Sequence, residues 1–203
     1  GDYESWVNIR TRDELEELGT IFNNMGPRLV ENEKMKRSLA VASEIQQHLL
    51  PPGAPGLETF DISGKIDYCD ETGGDYYDFI IVSPTDADRI GIAVGDITGH
   101  GIGAALLMAS ARAVLRSHVP QYDEDLSGLF NTINDHLWRD TGEERFLTLC
   151  YIMINGRTRT LSYVSAGHDP ALWRRGGSGE IEELRSTGIM LGALPDSTYT
   201  HSG

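Results

Sequence analysis

Two short acidic stretches carry the residue types best suited to chemistry: Gly73-Gly74-Asp75-Tyr76-Tyr77-Asp78 and Gly95-Asp96-Ile97-Thr98-Gly99-His100-Gly101. They sit at neighbouring ends of two β-branched and aromatic runs, residues 77–82 and 90–94, with turn chemistry at 84–88 between them. A hairpin is the simplest reading. Antiparallel pairing sets the start of one strand beside the end of the other, so Asp75 and Asp96 are expected to lie together on rigid elements. Carboxylates with open positions around them suit hard cations such as Mg²⁺ or Mn²⁺. Taken singly, an Asp beside Gly is as readily a turn residue or a cap. Asp78 could accept hydrogen bonds from metal-bound water or be a polar position on a strand. His100 could touch the site or cap the helix that follows.

The elements that must position these residues follow from periodicity. Residues 102–118 and 126–138 have apolar positions at helical spacing, and 146–154, 160–165, 171–174 and 181–184 read as strands separated by Asn155-Gly156 and Gly176-Gly177-Ser178-Gly179 turns. Strands, then two helices, then more strands imply an α+β fold with helices packed on antiparallel sheets, not alternating βαβ units. Upstream, Leu15, Leu18, Phe22, Met25 and Leu29 line one helical seam; Met35, Leu39, Ala42, Gln46 and Leu49 line a second, out of phase with the first. Pro27 at their junction either starts a new helix or kinks a continuous one. The seams predict a parallel homodimer through residues 1–50 with Gln46 setting its register, the alternative being an amphipathic helix packed on its own domain. Prolines 51, 52 and 55 with Gly53 and Gly56 mark a domain boundary. The expected division is 1–26, 27–52 and 53–203.

With 31 acidic against 17 basic residues and a formal charge of -14, the chain repels phosphate backbones and anionic membrane surfaces, which argues against nucleic acid as a partner. Cys69 and Cys150 are too few for a disulfide framework, and a reducing, cytoplasmic compartment is expected. No stretch reaches the roughly 18 apolar residues of a membrane span, so no membrane contact by this stretch of chain is expected. Gly99-His100-Gly101-Ile102-Gly103 lacks the Lys-Ser/Thr of a nucleotide loop and the third glycine of a dinucleotide fingerprint, so no organic cofactor is expected.

The two acidic motifs, with Ala166-Gly167-His168-Asp169-Pro170 further on, resemble the bacterial branch of the metal-dependent PP2C-type protein serine/threonine phosphatases, the RsbU/SpoIIE group. The resemblance runs from about Leu39 to the end and implies two stacked antiparallel sheets flanked by helices. It implies Asp75 and Asp96 as catalytic metal ligands, the Ile97 carbonyl as a third ligand, two Mn²⁺ or Mg²⁺ ions, and a phosphorylated anti-anti-sigma-type protein as substrate. Asp78 and His100 are second-rank candidates, and His168 is left outside the catalytic set because a histidine in a tight turn more often bonds backbone. Family members carry two further metal-binding aspartates, the first in a Thr-Asp-Gly motif that this sequence lacks, so the C-terminal part of the fold is expected to be missing and activity low. That departure keeps open a scaffold that binds a partner without turnover. Residues 11–25 resemble the second helix of a HAMP signalling module, which in that family follows a linker from a transmembrane helix and leaves a membrane-anchored parent protein open.

Overall fold

The computed structural model describes residues 5–57, 60–67, 72–83, 86–122, 124–141 and 145–203. Cys69 and the tip of the first hairpin lie outside them. Helix α1 (Glu14–Leu49) begins at Asp13, whose carboxylate accepts from the Leu15 amide, with Glu14, Glu16 and Glu17 facing the positive end of the helix. It runs without a break through Pro27, so of the two alternatives at that residue the chain takes the continuous helix. Ahead of it, the Asn23 side chain grips both polar groups of the Val7 backbone, at 2.8 and 2.7 Å, and ties residues 5–12 along the helix.

Strands β1 (Tyr76–Ser83), β2 (Asp86–Ile97), β3 (Leu147–Asn155) and β4 (Thr160–Ala166) form one antiparallel sheet in the order β1-β2-β3-β4. A second, two-stranded antiparallel sheet pairs β5 (Ala171–Arg174) with β6 (Ile181–Leu184). Helices α2 (Ile102–Tyr122) and α3 (Leu126–Thr141) pack on the four-stranded sheet, α2 against β1 and β2 and α3 against β4. The core lies between them: Ala93 and Ile97 of β2 and Leu147, Leu149 and Tyr151 of β3 meet Met108, Leu115, Phe130 and Ile133. Because side chains alternate along a strand, residues 96 and 148 fall on the other face of the sheet from these core positions. The α+β expectation with antiparallel sheets and flanking helices is met.

The two halves of α1 differ. Leu15, Leu18, Phe22, Met25 and Leu29 are exposed, whereas Leu49 packs against the core and Gln46 is buried. Gln46 does not stand in a free seam where it could set dimer register. Its amide donates to the Gly73 carbonyl at 2.6 Å and its carbonyl accepts from the Gly73 amide at 3.3 Å. Met35 at the start of the second seam stays exposed, but its later turns pack inward against α2 and onto the Gly73 backbone, which satisfies the Gln46 amide.

Candidate active site

The register of the first hairpin places the two carboxylates. Tyr76 pairs with Gly95, so Asp75, just before β1, lies beside Asp96 near the end of β2. The Ile97 amide donates to the Gly74 carbonyl at 3.3 Å and stitches the two acidic turns together. Gly74 is required by this closeness: a Cβ there would stand 2.3 Å from the Ile97 carbonyl oxygen and 2.9 Å from Asp96 Oδ1. Gly99, at φ +95°, then reverses the chain into α2 in a conformation that L side chains rarely adopt.

Both carboxylates are exposed. Partial burial first, and then the charge of Asp75, raise the Asp96 carboxyl above the usual range. Two like charges held together are relieved by a cation, and with the Ile97 carbonyl turned toward the same turn the donors are all hard oxygens, the set that Mg²⁺ or Mn²⁺ takes. Among the described residues no three His, Cys, Asp or Glu side chains gather closely enough to hold a metal by themselves. The residues present therefore fit a hard cation with much of its coordination left to other ligands or water.

Asp78 requires a correction. Three residues beyond Asp75 on an extended strand means the opposite face, and its carboxylate is fully buried toward α2. It accepts from the Tyr76 hydroxyl at 2.9 Å, the Phe79 amide at 2.9 Å, and Arg116 Nε and Nη2 at 2.7 and 3.0 Å, with Arg112 Nε at 3.5 Å. Burial, then the Asp78 charge, push the Tyr76 phenol far up, so it remains a donor. Nothing of Asp78 is left for water beside Asp75. His100 is exposed on the turn between Gly99 and Gly101 and makes no hydrogen bond or ion pair among the described residues.

Two side chains left out of the sequence-derived site adjoin it. Thr148 is the register partner of Asp96, and its hydroxyl donates to the Asp96 carbonyl at 3.3 Å. His168 Nδ1 meets the same hydroxyl at 2.9 Å, and the charges of Asp96 and Asp75 act on its ring. The Ala-Gly-His-Asp-Pro motif was the available signal for His168; its partner was not, because the β3–β4 register that brings it there is a long-range pairing.

The family model described as Stage II sporulation protein E (SpoIIE) matches residues 86–202, more than half of the chain. The chain belongs to the SpoIIE family. The match covers Asp96, Ile97, His100 and His168 of this SpoIIE-family chain; Asp75 precedes it and joins the site through the hairpin register. Phosphoserine phosphatase RsbU of Bacillus subtilis is 28% identical over 167 residues, covering 82% of this chain and 48% of RsbU. Protein IcfG of Synechocystis is 26% identical over 236 aligned residues, covering 98% of this chain and 37% of that protein. The chain thus spans about half or less of the length of these relatives. Among solved structures, the SiaA-PP2C domain of Pseudomonas aeruginosa superposes with a TM-score of 0.60 at 21% identity, covering 85% of this chain and 68% of that one. The PP2C domain of SpoIIE from Bacillus subtilis gives 0.52 at 19%, covering 64% and 36%. The fold is the PP2C type, and the domain is PP2C-like, of the RsbU/SpoIIE kind.

Proposed function

We propose that this SpoIIE-family chain is the metal-dependent phosphoserine/phosphothreonine protein phosphatase unit of a bacterial signalling protein. The observation that carries this reading is the pair Asp75 and Asp96, held side by side on paired strand ends with the Asp96 carboxyl raised by partial burial and by its neighbour. Asp75, Asp96 and the Ile97 carbonyl would hold Mn²⁺ or Mg²⁺, which supplies Lewis acidity that neutralises phosphoryl charge and acidifies water. The protein's own part is placement. Gln46 fixes Gly73, the Ile97 amide fixes Gly74, and together they hold the Asp75 turn against Asp96. His100, exposed on the next turn, is positioned to meet substrate instead of core. The phosphoserine phosphatase activity in the names of RsbU and RsbP of Bacillus subtilis supports phosphoserine as the reacting group. The resemblance further points to an anti-anti-sigma-type protein as its carrier in the cytoplasm.

The exposed stripe of Leu15, Leu18, Phe22, Met25 and Leu29 supports a homodimer through the first half of α1, with Gln46 and Leu49 in its last turns docked on its own domain. No helix among the described residues is long and apolar enough to cross a membrane. The absence of a three-residue metal cluster among those residues favours a second reading, a partner-binding scaffold without turnover. One assay separates the two. The full-length protein should release phosphate from a phosphoserine protein with Mn²⁺ or Mg²⁺ and stop in chelator. Partner binding with no phosphate release under any metal would leave the scaffold.

A further inference from the structure

The Asp96–Ile97 peptide is held from both sides. Its N–H, on Ile97, donates to the Gly74 carbonyl, and its C=O, on Asp96, accepts from the Thr148 hydroxyl. A threonine hydroxyl has one proton and two lone pairs. With that proton directed at the Asp96 carbonyl, the 2.9 Å contact between Thr148 Oγ1 and His168 Nδ1 is satisfied only if Nδ1 carries a hydrogen and donates it. The two contacts together therefore select the Nδ1–H tautomer and leave Nε2 with its lone pair.

We propose that His168 is a positioning residue which, through Thr148, locks the peptide joining Asp96 to Ile97 and so aims both the Asp96 carboxylate and the Ile97 carbonyl. Register brings the parts together: Asp96 faces Thr148 across β2 and β3, and Leu149 faces Ala166 across β3 and β4, which sets the turn bearing His168 next to Thr148. The turn is itself braced, since the Gly167 amide donates to the Gly188 carbonyl at 3.0 Å and to Ser186 Oγ at 2.7 Å. Three strand ends thus converge on one peptide plane. Burial, the largest influence on the ring, holds His168 below the usual histidine range despite the charges of Asp169, Asp96 and Asp75, in keeping with a neutral donor. Outer partners of this kind orient metal ligands and tune their affinity.

The inference deepens the metal reading, but its first test needs no metal. In the ¹⁵N-labelled full-length protein, side-chain nitrogen shifts should show His168 as the Nδ1–H tautomer, and Thr148→Val should release it to Nε2–H. Calorimetric titration with Mn²⁺ should show His168→Ala and Thr148→Val each losing roughly tenfold in affinity. His168→Asn, whose amide N–H stands where Nδ1–H does, should retain most of the affinity, and His168→Gln should not. Wild-type His168 in the Nε2–H form, or rescue by Gln and not by Asn, would overturn the relay. A wild-type protein that binds no Mn²⁺ would instead overturn the metal reading, and the tautomer would still decide this one.

Discussion

Asp75 and Asp78 belong to one six-residue motif yet occupy opposite chemical worlds. Asp78 is surrounded by donors on four residues and has no exposure to solvent. Asp75 is exposed and set beside a second carboxylate, whose proton affinity it helps to raise. The difference comes from strand alternation alone. A carboxylate whose lone pairs are filled by its own chain holds structure, and one pushed against a like charge at the surface is poised for a ligand. The Gln46 carboxamide likewise holds structure, since both its polar groups are spent on Gly73.

The contrast can be broken by mutation. In phosphatase assays, Asp75→Asn and Asp96→Asn should each nearly abolish hydrolysis while the metal-free protein melts no lower than wild type, because each removes a repulsive charge and no core volume. Asp78→Asn should do the reverse. It weakens the hydrogen bonds of the buried carboxyl and removes the counter-ion of Arg112 and of the partly exposed Arg116, a loss of about 1–3 kcal/mol. Thermal unfolding should fall by several degrees, while the residual folded protein keeps its affinity for Mn²⁺. Equal loss of metal binding in Asp78→Asn and Asp75→Asn would erase the distinction.

Gln46→Ala sharpens the comparison. It strands the two polar groups of the Gly73 backbone, a loss of about 1–3 kcal/mol, and should loosen the Asp75 turn enough to weaken metal binding as well as stability. Unchanged metal titration would show that the helix merely rests on the site. Farther out, Leu18→Glu combined with Phe22→Glu should convert dimer to monomer by light scattering with little change in helicity or melting. A wild-type monomer would show the exposed stripe to be otherwise employed.

The smallest effect concerns Cys150, a buried thiol on β3 that burial pushes up to about 11 from an ordinary 9.0. The native state holds this proton more tightly than the unfolded chain, so Cys150 erodes stability as pH rises from about 9 toward 11 and has no effect below that window. Chemical denaturation across this range should show a shallower alkaline decline in Cys150→Ala. An identical slope would mean that the thiol ionises in the native protein.

Local signals reached far in this chain. The β-branched runs around a turn specified the hairpin, and the hairpin alone was enough to bring Asp75 to Asp96. Helical spacing located α2 and α3, and the strands of the second half were legible from their turns. Of the two readings open for Asp78, the strand position holds and the metal-water one does not: a spacing of three along a strand already excludes it from the Asp75 side. Gln46 and His168 are a different case. A heptad seam cannot say whether a partner helix or its own domain will cover it, and a glycine-flanked histidine cannot name the strand opposite. Both answers depend on pairings that join residues far apart in sequence, Gln46 to Gly73 and Thr148 to His168.

The most direct test of the central claim, that Asp75 and Asp96 form the cation site, is calorimetric titration of Mn²⁺ into full-length wild type, Asp75→Asn and Asp96→Asn, each confirmed folded by circular dichroism. Wild type should bind with heat that chelator abolishes, and each variant should lose at least one binding event and phosphatase activity together. Folded variants that bind Mn²⁺ as wild type does would contradict it, and the search for the reacting centre would have to move away from these two strand ends.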